Sequence, residues 1–200
     1  IITNKPYNRG TGAGGANTNK SGLSFEESTD LKTEMEDIKQ HKIKKSKCKY
    51  NTFKFKDDKT NFVVAKQDGF HKYMKCPIDT KNMAHGTKKP DECIIDEKNK
   101  NIFWLEKKKQ NDTGSVCEKL QTSVFKKSEL EELYPNYSII YIYILSDWFK
   151  KNVPRELKYL HKNKIPVFWG EDKDYKKKMV DFIFNHKKYI KDFNKYFGNI

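Results

Sequence analysis

The stretch KPDECIIDEKNKNIFWLEKKKQ, residues 89–110, contains the pattern that decides the fold of this chain. Two short apolar runs, CII at 93–95 and IFWL at 102–105, lie on either side of a polar segment typical of a β-turn. The pattern predicts two antiparallel strands, 91–96 and 102–109, joined by a turn at 97–101. The chemistry suggested by the sequence depends on this hairpin.

The second strand of the hairpin ends in charged residues. Side chains two positions apart in a strand point to the same face, so Glu106 and Lys108 share one face while Lys107 and Lys109 point to the other. One carboxylate and one ammonium group therefore meet on one surface.

The first strand begins at Asp91. A turn centred near Lys98 places Asp91 opposite Glu106 or Lys107, where cross-strand Cβ atoms are about 4.5–5.5 Å apart. A hard divalent cation prefers carboxylate oxygens, activates water and stabilises charge on phosphate oxygens. Asp91 and Glu106 are thus predicted metal ligands for Mg2+, for which Mn2+ can substitute.

Lys108 is the residue that we expect to act on the attacking water, by orienting or deprotonating it. As a base it would need a lowered pKa, which its lysine neighbours, the metal and partial burial would promote. The acidic-x-Lys spacing alone is weak, because it occurs nine times in this chain. Glu106 is distinguished by its place at the end of an apolar strand, across the hairpin from Pro90-Asp91. The alternative is an exposed strand end.

These residues resemble a known family. Pro90-Asp91 followed by Glu106-Lys107-Lys108 resembles the motif of the PD-(D/E)XK nuclease superfamily. The Gly/Asn-rich start leading into GLSFEE, and GSVCEKLQTSVFKK after the hairpin, are similar to type II restriction endonucleases of that superfamily. The resemblance covers most of residues 10–170. It implies an α/β, restriction-endonuclease-like core with a central mixed β-sheet flanked by helices, Mg2+ dependence and site-specific cleavage of double-stranded DNA.

The resemblance also implies further site residues and partners. An acidic residue of the first core helix often completes the metal site in that family, and Glu26 matches this position, with Glu27 as competitor and helix capping as the alternative for both. Gln110, on the face of Glu106 and Lys108, is expected to hold the water or a phosphate. Two symmetric active sites on a two-fold symmetric DNA target imply a homodimer. A cognate DNA methyltransferase is expected as a companion enzyme.

DNA contacts are expected from polar side chains before and after the hairpin. The net charge of +14 and the pI of about 9.4 favour a polyanionic partner. The candidate DNA-binding residues are Asn17, Asn19, Lys45, Ser115, Lys119, Gln121, Thr122 and Lys126. Each of them has a plain alternative as an ordinary solvated side chain.

Length and composition predict one domain over 1–200, with 1–22 as a Gly/Asn-rich arm or loop. The remaining pattern predicts a helix over 24–45 that is N-capped by Ser24, a hairpin over 50–67, and short strands or loop around 69–89. It continues with helical turns over 115–134, strands at 137–145 and 165–170, and helices at 154–162 and 174–197. Scattered cysteines, together with the lack of an apolar run of about 20 residues, predict a cytoplasmic protein that does not span a membrane.

Two other readings stay open. One is a structure- or damage-specific repair nuclease, and the other is a non-catalytic basic DNA-binding protein in which the acidic-x-Lys match is accidental. A P-loop nucleotide hydrolase is disfavoured because GxxxxGK[ST] does not occur, and a zinc HNH-type nuclease because its His/Asn spacing and cysteine pairs do not occur.

Overall fold

The computed structural model describes residues 16–31, 34–35, 44–47, 53–56, 61–75, 88–112 and 116–198, without the side chains of 16–20, 44–47, 53–56 and 116. The fold is α/β: a central mixed sheet flanked by helices, consistent with the expected restriction-endonuclease-like core. The sheet has seven strands in sequential order: β1 Lys44–Lys47, β2 Phe53–Lys56, β3 Asn61–Ala65, β4 Glu92–Asp96, β5 Asn101–Lys108, β6 Ser138–Leu145 and β7 Val167–Trp169.

Eight helices are described around this sheet: α1 Ala16–Ser28, α2 Asp68–Met74, α3 Val116–Gln121, α4 Ser123–Leu133, α5 Trp148–Asn152, α6 Pro154–Lys162, α7 Tyr175–Lys191 and α8 Phe193–Phe197. The strands from β1 to β5 are antiparallel to their neighbours, whereas β5, β6 and β7 are parallel. Parallel pairs need crossover connections, which α3 with α4 and α5 with α6 provide.

Strand β5 is buried on both faces, and its side chains alternate between two cores. Ile102 and Trp104 belong to the core that is also lined by α4 and α6. Phe103 and Leu105 belong to the opposite core, which α1, α7 and α8 cover. Because the alternation continues to the end of the strand, neighbouring charged residues also reach opposite faces.

A buried ion pair lies at the end of the second core. Lys107 Nζ is 2.8 Å from Glu92 Oε2, and the two side chains are 1% and 0% exposed. Glu92 also accepts a hydrogen bond from the Leu31 amide, and Lys107 Nζ donates to the Glu26 carbonyl oxygen at 3.1 Å. The pair therefore fastens the end of α1 and the residues after it to the sheet.

The turn between β4 and β5 is closed by Asp96. Its Oδ1 accepts hydrogen bonds from the Lys98 and Asn99 amides, and its Oδ2 accepts one from the Asn99 side chain at 2.7 Å. Lys100 has a φ of 56°, the left-handed conformation that completes the reversal. These bonds fix the number of residues in the turn and, with it, the register of the hairpin.

Several sequence predictions are confirmed. The decisive hairpin forms as β4 and β5, the hairpin within 50–67 forms as β2 and β3, and the predicted strands at 137–145 and 165–170 contain β6 and β7. The helix predicted at 154–162 is α6, with Pro154 in its first turn, where its missing N–H costs nothing.

The prediction of a helix over 24–45 is wrong in its boundaries. Helix α1 begins at Ala16 and ends at Ser28, so Ser24 lies inside it rather than at its N-cap, and 44–47 forms a strand. The part of the arm at 16–22 is helical rather than a loop. The last turn of α1 is held by tertiary packing, because the Phe25 ring fits against Gly170, where a Cβ would come within 2.6 Å of it.

Two other predictions on the elements need correction. The segment expected as short strands or loop contains α2, whose Phe70 is buried among aromatic rings. The closing helix is broken at Asp192 into α7 and α8, and Asn185 has non-helical dihedral angles. Met179, Phe182, Ile183 and Phe193 of these two helices are buried.

Among the described residues, no helix is long and apolar enough to cross a membrane.

The Lys107–Glu92 pair predicts strong coupling between two substitutions. Lys107→Met or Glu92→Gln alone should lower the free energy of unfolding by about 3–5 kcal/mol, because each leaves a buried polar or charged group without its partner. The double variant should lose much less free energy of unfolding than the sum of the two single losses. Urea unfolding of all four proteins measures this coupling, and additive losses would contradict the role given to the pair.

Candidate active site

The hairpin places Asp91 opposite Glu106. Glu92 pairs with Leu105 across the two strands, so the next pair outward along the ladder is Asp91 with Glu106. The Asp91 Oδ2 atom accepts a hydrogen bond from the Lys107 amide at 2.7 Å and one from Lys108 Nζ at 3.2 Å. The backbone of β5 thus orients Asp91 directly.

Two ammonium groups meet at Glu106. Lys108 Nζ and Lys126 Nζ both lie 3.0 Å from the same oxygen, Glu106 Oε1. Glu106 as a residue is 8% exposed, and the Lys108 and Lys126 side chains are 19% and 17% exposed. The alternative of an exposed strand end is therefore contradicted for Glu106, which is buried within a charge cluster.

The electrostatics of the cluster favour the ionised forms of both β5 residues. Burial would raise the pKa of Glu106, but the ammonium groups of Lys108 and Lys126 outweigh it and hold this pKa below its usual value. Burial would likewise lower the pKa of Lys108, but the Glu106 and Asp91 carboxylates raise it instead. In this arrangement the pKa of Lys108 is therefore raised, because its two carboxylate neighbours outweigh burial.

Glu26 lies on α1 at the edge of the same cluster. Burial and the negative charge of Asp91 raise the pKa of Glu26, and Lys108 partly offsets this. Its competitor Glu27 is exposed, and neither residue caps the helix, since both lie near its C-terminal end. Of the two, Glu26 is therefore the residue that is electrostatically coupled to Asp91.

Two tyrosines of β6 lie under the cluster. Burial, followed by the nearby charge of Glu106, raises the pKa of both Tyr141 and Tyr143. The Tyr143 hydroxyl donates to the Lys119 carbonyl oxygen at 3.0 Å. The Tyr141 hydroxyl is buried, and no described residue offers it a hydrogen bond of normal geometry. Both hydroxyls lie within electrostatic reach of Glu106 and of each other, so they belong to the surroundings of the cluster.

The cluster contains two carboxylates, which are oxygen donors of the kind that a hard divalent cation prefers. Lys108 Nζ lies between Asp91 and Glu106, so a positive charge already bridges the two carboxylates. Oxygen ligands of this kind suit Mg2+. In the part of the chain that the structure describes, no three His, Cys, Asp or Glu residues are grouped closely enough to hold a metal ion by themselves. Asp91 and Glu106 would hold the metal, with Glu26 nearby.

Gln110 lies beyond the end of β5 and is engaged elsewhere. The hydrogen bonds of Gln110 go to residues outside the cluster. Its backbone N–H donates to Ser146 Oγ at 3.1 Å, and its side-chain Nε2 donates to the Asp112 carbonyl oxygen. Gln110 is buried. Its predicted part in holding water or phosphate stays a prediction.

The candidate DNA-binding residues fall into three groups. Lys126 belongs to the cluster itself. Lys119, Gln121 and Thr122 are exposed at the junction of α3 and α4, where Gln121 Nε2 is 3.4 Å from a Glu156 oxygen. Ser115 and the side chains of three others lie outside the described residues: Asn17, Asn19 and Lys45.

Sequence reasoning missed the contact between Lys126 and Glu106, and it missed His71. His71 lies on α2, is buried, and hydrogen-bonds the Lys88 carbonyl oxygen through Nε2 and the Tyr134 hydroxyl through Nδ1 at 3.2 Å. It therefore holds the segment that leads into Asp91. A histidine in the uncertain segment 69–89 gave no signal of this contact, because it depends on tertiary packing.

Comparisons with protein-family models, with curated proteins and with solved structures give no match to this chain.

His71 predicts a measurable effect of pH on stability. Burial lowers the pKa of His71 in the folded protein, whereas a histidine in an unfolded chain titrates near pH 6.5. As the pH falls through about 6.5, the unfolded state binds more protons, so the free energy of unfolding decreases.

The variant His71→Gln should lose this part of the pH dependence. Urea unfolding at pH 5.5 and 7.5 should give a smaller difference in stability for His71→Gln than for the natural chain, since the carboxylates contribute equally to both. An unchanged difference would show that His71 is not protected from protonation.

Proposed function

We propose that this protein is a Mg2+-dependent endonuclease that hydrolyses double-stranded DNA at specific sites, in the manner of type II restriction endonucleases. The single observation that carries the proposal is the meeting of Asp91, Glu106 and Lys108 at one end of the β4–β5 hairpin, in a charge cluster with little solvent exposure. The resemblance to the PD-(D/E)XK motif supports the same assignment of residues.

Asp91 and Glu106 are the proposed metal ligands. The ammonium group of Lys108 contacts both carboxylates, so the two are close enough together for a compact cation to contact both. When bound, Mg2+ would supply an activated water and stabilise negative charge on the phosphate oxygens; Mn2+ is the proposed substitute. Glu26 is the proposed additional acidic group, because burial and then repulsion from Asp91 raise its pKa, and a nearby cation would relieve the repulsion.

Lys108 is the residue proposed to act beside the reacting phosphate. Since its pKa is raised by Glu106 and Asp91, Lys108 carries a proton in this arrangement. Its proposed role is to orient or deprotonate the attacking water and to hold positive charge next to the phosphate.

The partners follow from the chemistry of the substrate. A duplex is a polyanion, and the chain carries a net charge of +14. A homodimer would present two such sites to the two strands of a symmetric target. A cytoplasmic location and a cognate DNA methyltransferase belong to the same proposal.

The experiment is cleavage of plasmid and phage DNA with Mg2+ or with EDTA. The natural protein should give discrete fragments only with Mg2+. Asp91→Asn, Glu106→Gln and Lys108→Ala should each reduce the rate by about 100-fold or more, as expected for loss of a group that acts on the reacting atoms.

The matched controls are Glu131→Gln and Lys127→Ala, which change an exposed carboxylate and a partly exposed lysine of α4 that pair with each other. These controls should cut like the natural protein. Full activity in the three site variants, or cleavage that persists in EDTA, would refute the proposal.

The second candidate is a nuclease that recognises DNA structure or damage, using the same charge cluster. It predicts a smear, or selective cutting of junctions and mismatches, in place of fixed fragments. A non-catalytic DNA-binding protein predicts salt-dependent binding without any effect of Mg2+ and no hydrolysis. Sequencing the ends of the products separates these outcomes.

A further inference from the structure

The ion pair between Lys126 and Glu106 joins a helix to the charge cluster of the hairpin. Lys126 belongs to α4, and its ammonium group reaches the oxygen of Glu106 that Lys108 also contacts. The adjacent Lys127 turns the other way and pairs with Glu131, at 3.6 Å on its own helix. Helix α4 therefore directs one of two neighbouring lysines into the cluster.

The two lysines on Glu106 differ in what else holds them. Lys108 has a second carboxylate partner, Asp91, at 3.2 Å. Within the described part of the chain, Glu106 is the acidic partner found for Lys126. Lys126 is thus the more weakly held of the two ammonium groups, and its flexible four-carbon stem allows it to move without any change in the backbone.

We propose that Lys126 is a displaceable counter-ion: it neutralises Glu106 while no divalent cation is bound, and it moves to a phosphate of the nucleic acid once a cation occupies that carboxylate. The inference rests on the proposed function, because it concerns the same two carboxylates. It adds that metal binding and phosphate binding are linked through one side chain.

The physical argument starts from the cost of a buried charge. A carboxylate that is shielded from solvent needs a counter-charge, and Lys126 contributes one in the arrangement described here. The Glu106 oxygen cannot accept a divalent cation at bonding distance while two ammonium groups lie 3.0 Å from it, since like charges repel at such distances. Lys126 has one carboxylate partner where Lys108 has two, so Lys126 is the ammonium group that we expect to leave, and a nearby phosphate oxygen is the anion that the substrate provides.

The test is direct binding of Mn2+ to the protein in the absence of DNA, measured by water-proton relaxation. Lys126→Met keeps the length of the side chain and removes its charge, so Mn2+ should bind about tenfold more tightly than to the natural protein. Lys127→Met removes the same charge one residue away and should leave the affinity unchanged. Asp91→Asn gives the background from Mn2+ bound elsewhere, and circular dichroism checks that each variant is folded.

A second readout uses DNA cleavage at saturating Mg2+. Lys126→Met should cut more slowly than the natural protein although it binds the cation more tightly, because the phosphate has lost its contact. Equal Mn2+ affinity in Lys126→Met and the natural protein would overturn the counter-ion role while leaving the endonuclease proposal standing. No Mn2+ binding above the Asp91→Asn background, together with no cleavage, would overturn both.

Discussion

The structure depends on one buried ion pair, between Lys107 and Glu92. It lies on the face of the hairpin opposite to the charge cluster, and it uses the residues directly adjacent to Lys108 and Asp91. Through the Leu31 amide and the Glu26 carbonyl oxygen, the pair also fixes the end of α1. Burial raises the pKa of Glu92 to about 7 despite the attraction of Lys107, which reflects how strongly this pair is removed from water. The support of the cluster and the cluster itself are therefore built from alternate side chains of the same two strands.

The balance of charge in the cluster is the opposite of that in the whole chain. Three carboxylates, those of Asp91, Glu106 and Glu26, interact with the two ammonium groups of Lys108 and Lys126. In a protein of net charge +14, this is a local excess of negative charge, and it agrees with the proposed binding of a cation. A polyanion attracted to the basic surface would meet carboxylates at that point, and a divalent cation between the two would remove the repulsion.

The sequence predicted the hairpin because its information is local. Strand alternation and turn length were enough to set Asp91 opposite Glu106 and to put Lys108 on the same face. The positions of the helices depend on tertiary packing, which joins residues that are distant in the sequence. The packing of Phe25 against Gly170 joins residues far apart in the chain, and the contact of Lys126 with Glu106 depends on how α4 crosses β6. Nothing in a lysine-rich helix distinguishes the lysine that points inward from its neighbours.

The turn closed by Asp96 has a consequence for how this protein tolerates change. Loops usually accept insertions, but one residue added between β4 and β5 would shift the register by one position and exchange the two faces of β5. Glu106 would then take the place of Lys107 beside Glu92, and Lys107 would take the place of Lys108 in the cluster. Such a chain would keep nearly the same composition and motif letters and yet lose both its support and its site. The length of this turn is thus under tighter constraint than the identity of most residues that surround it.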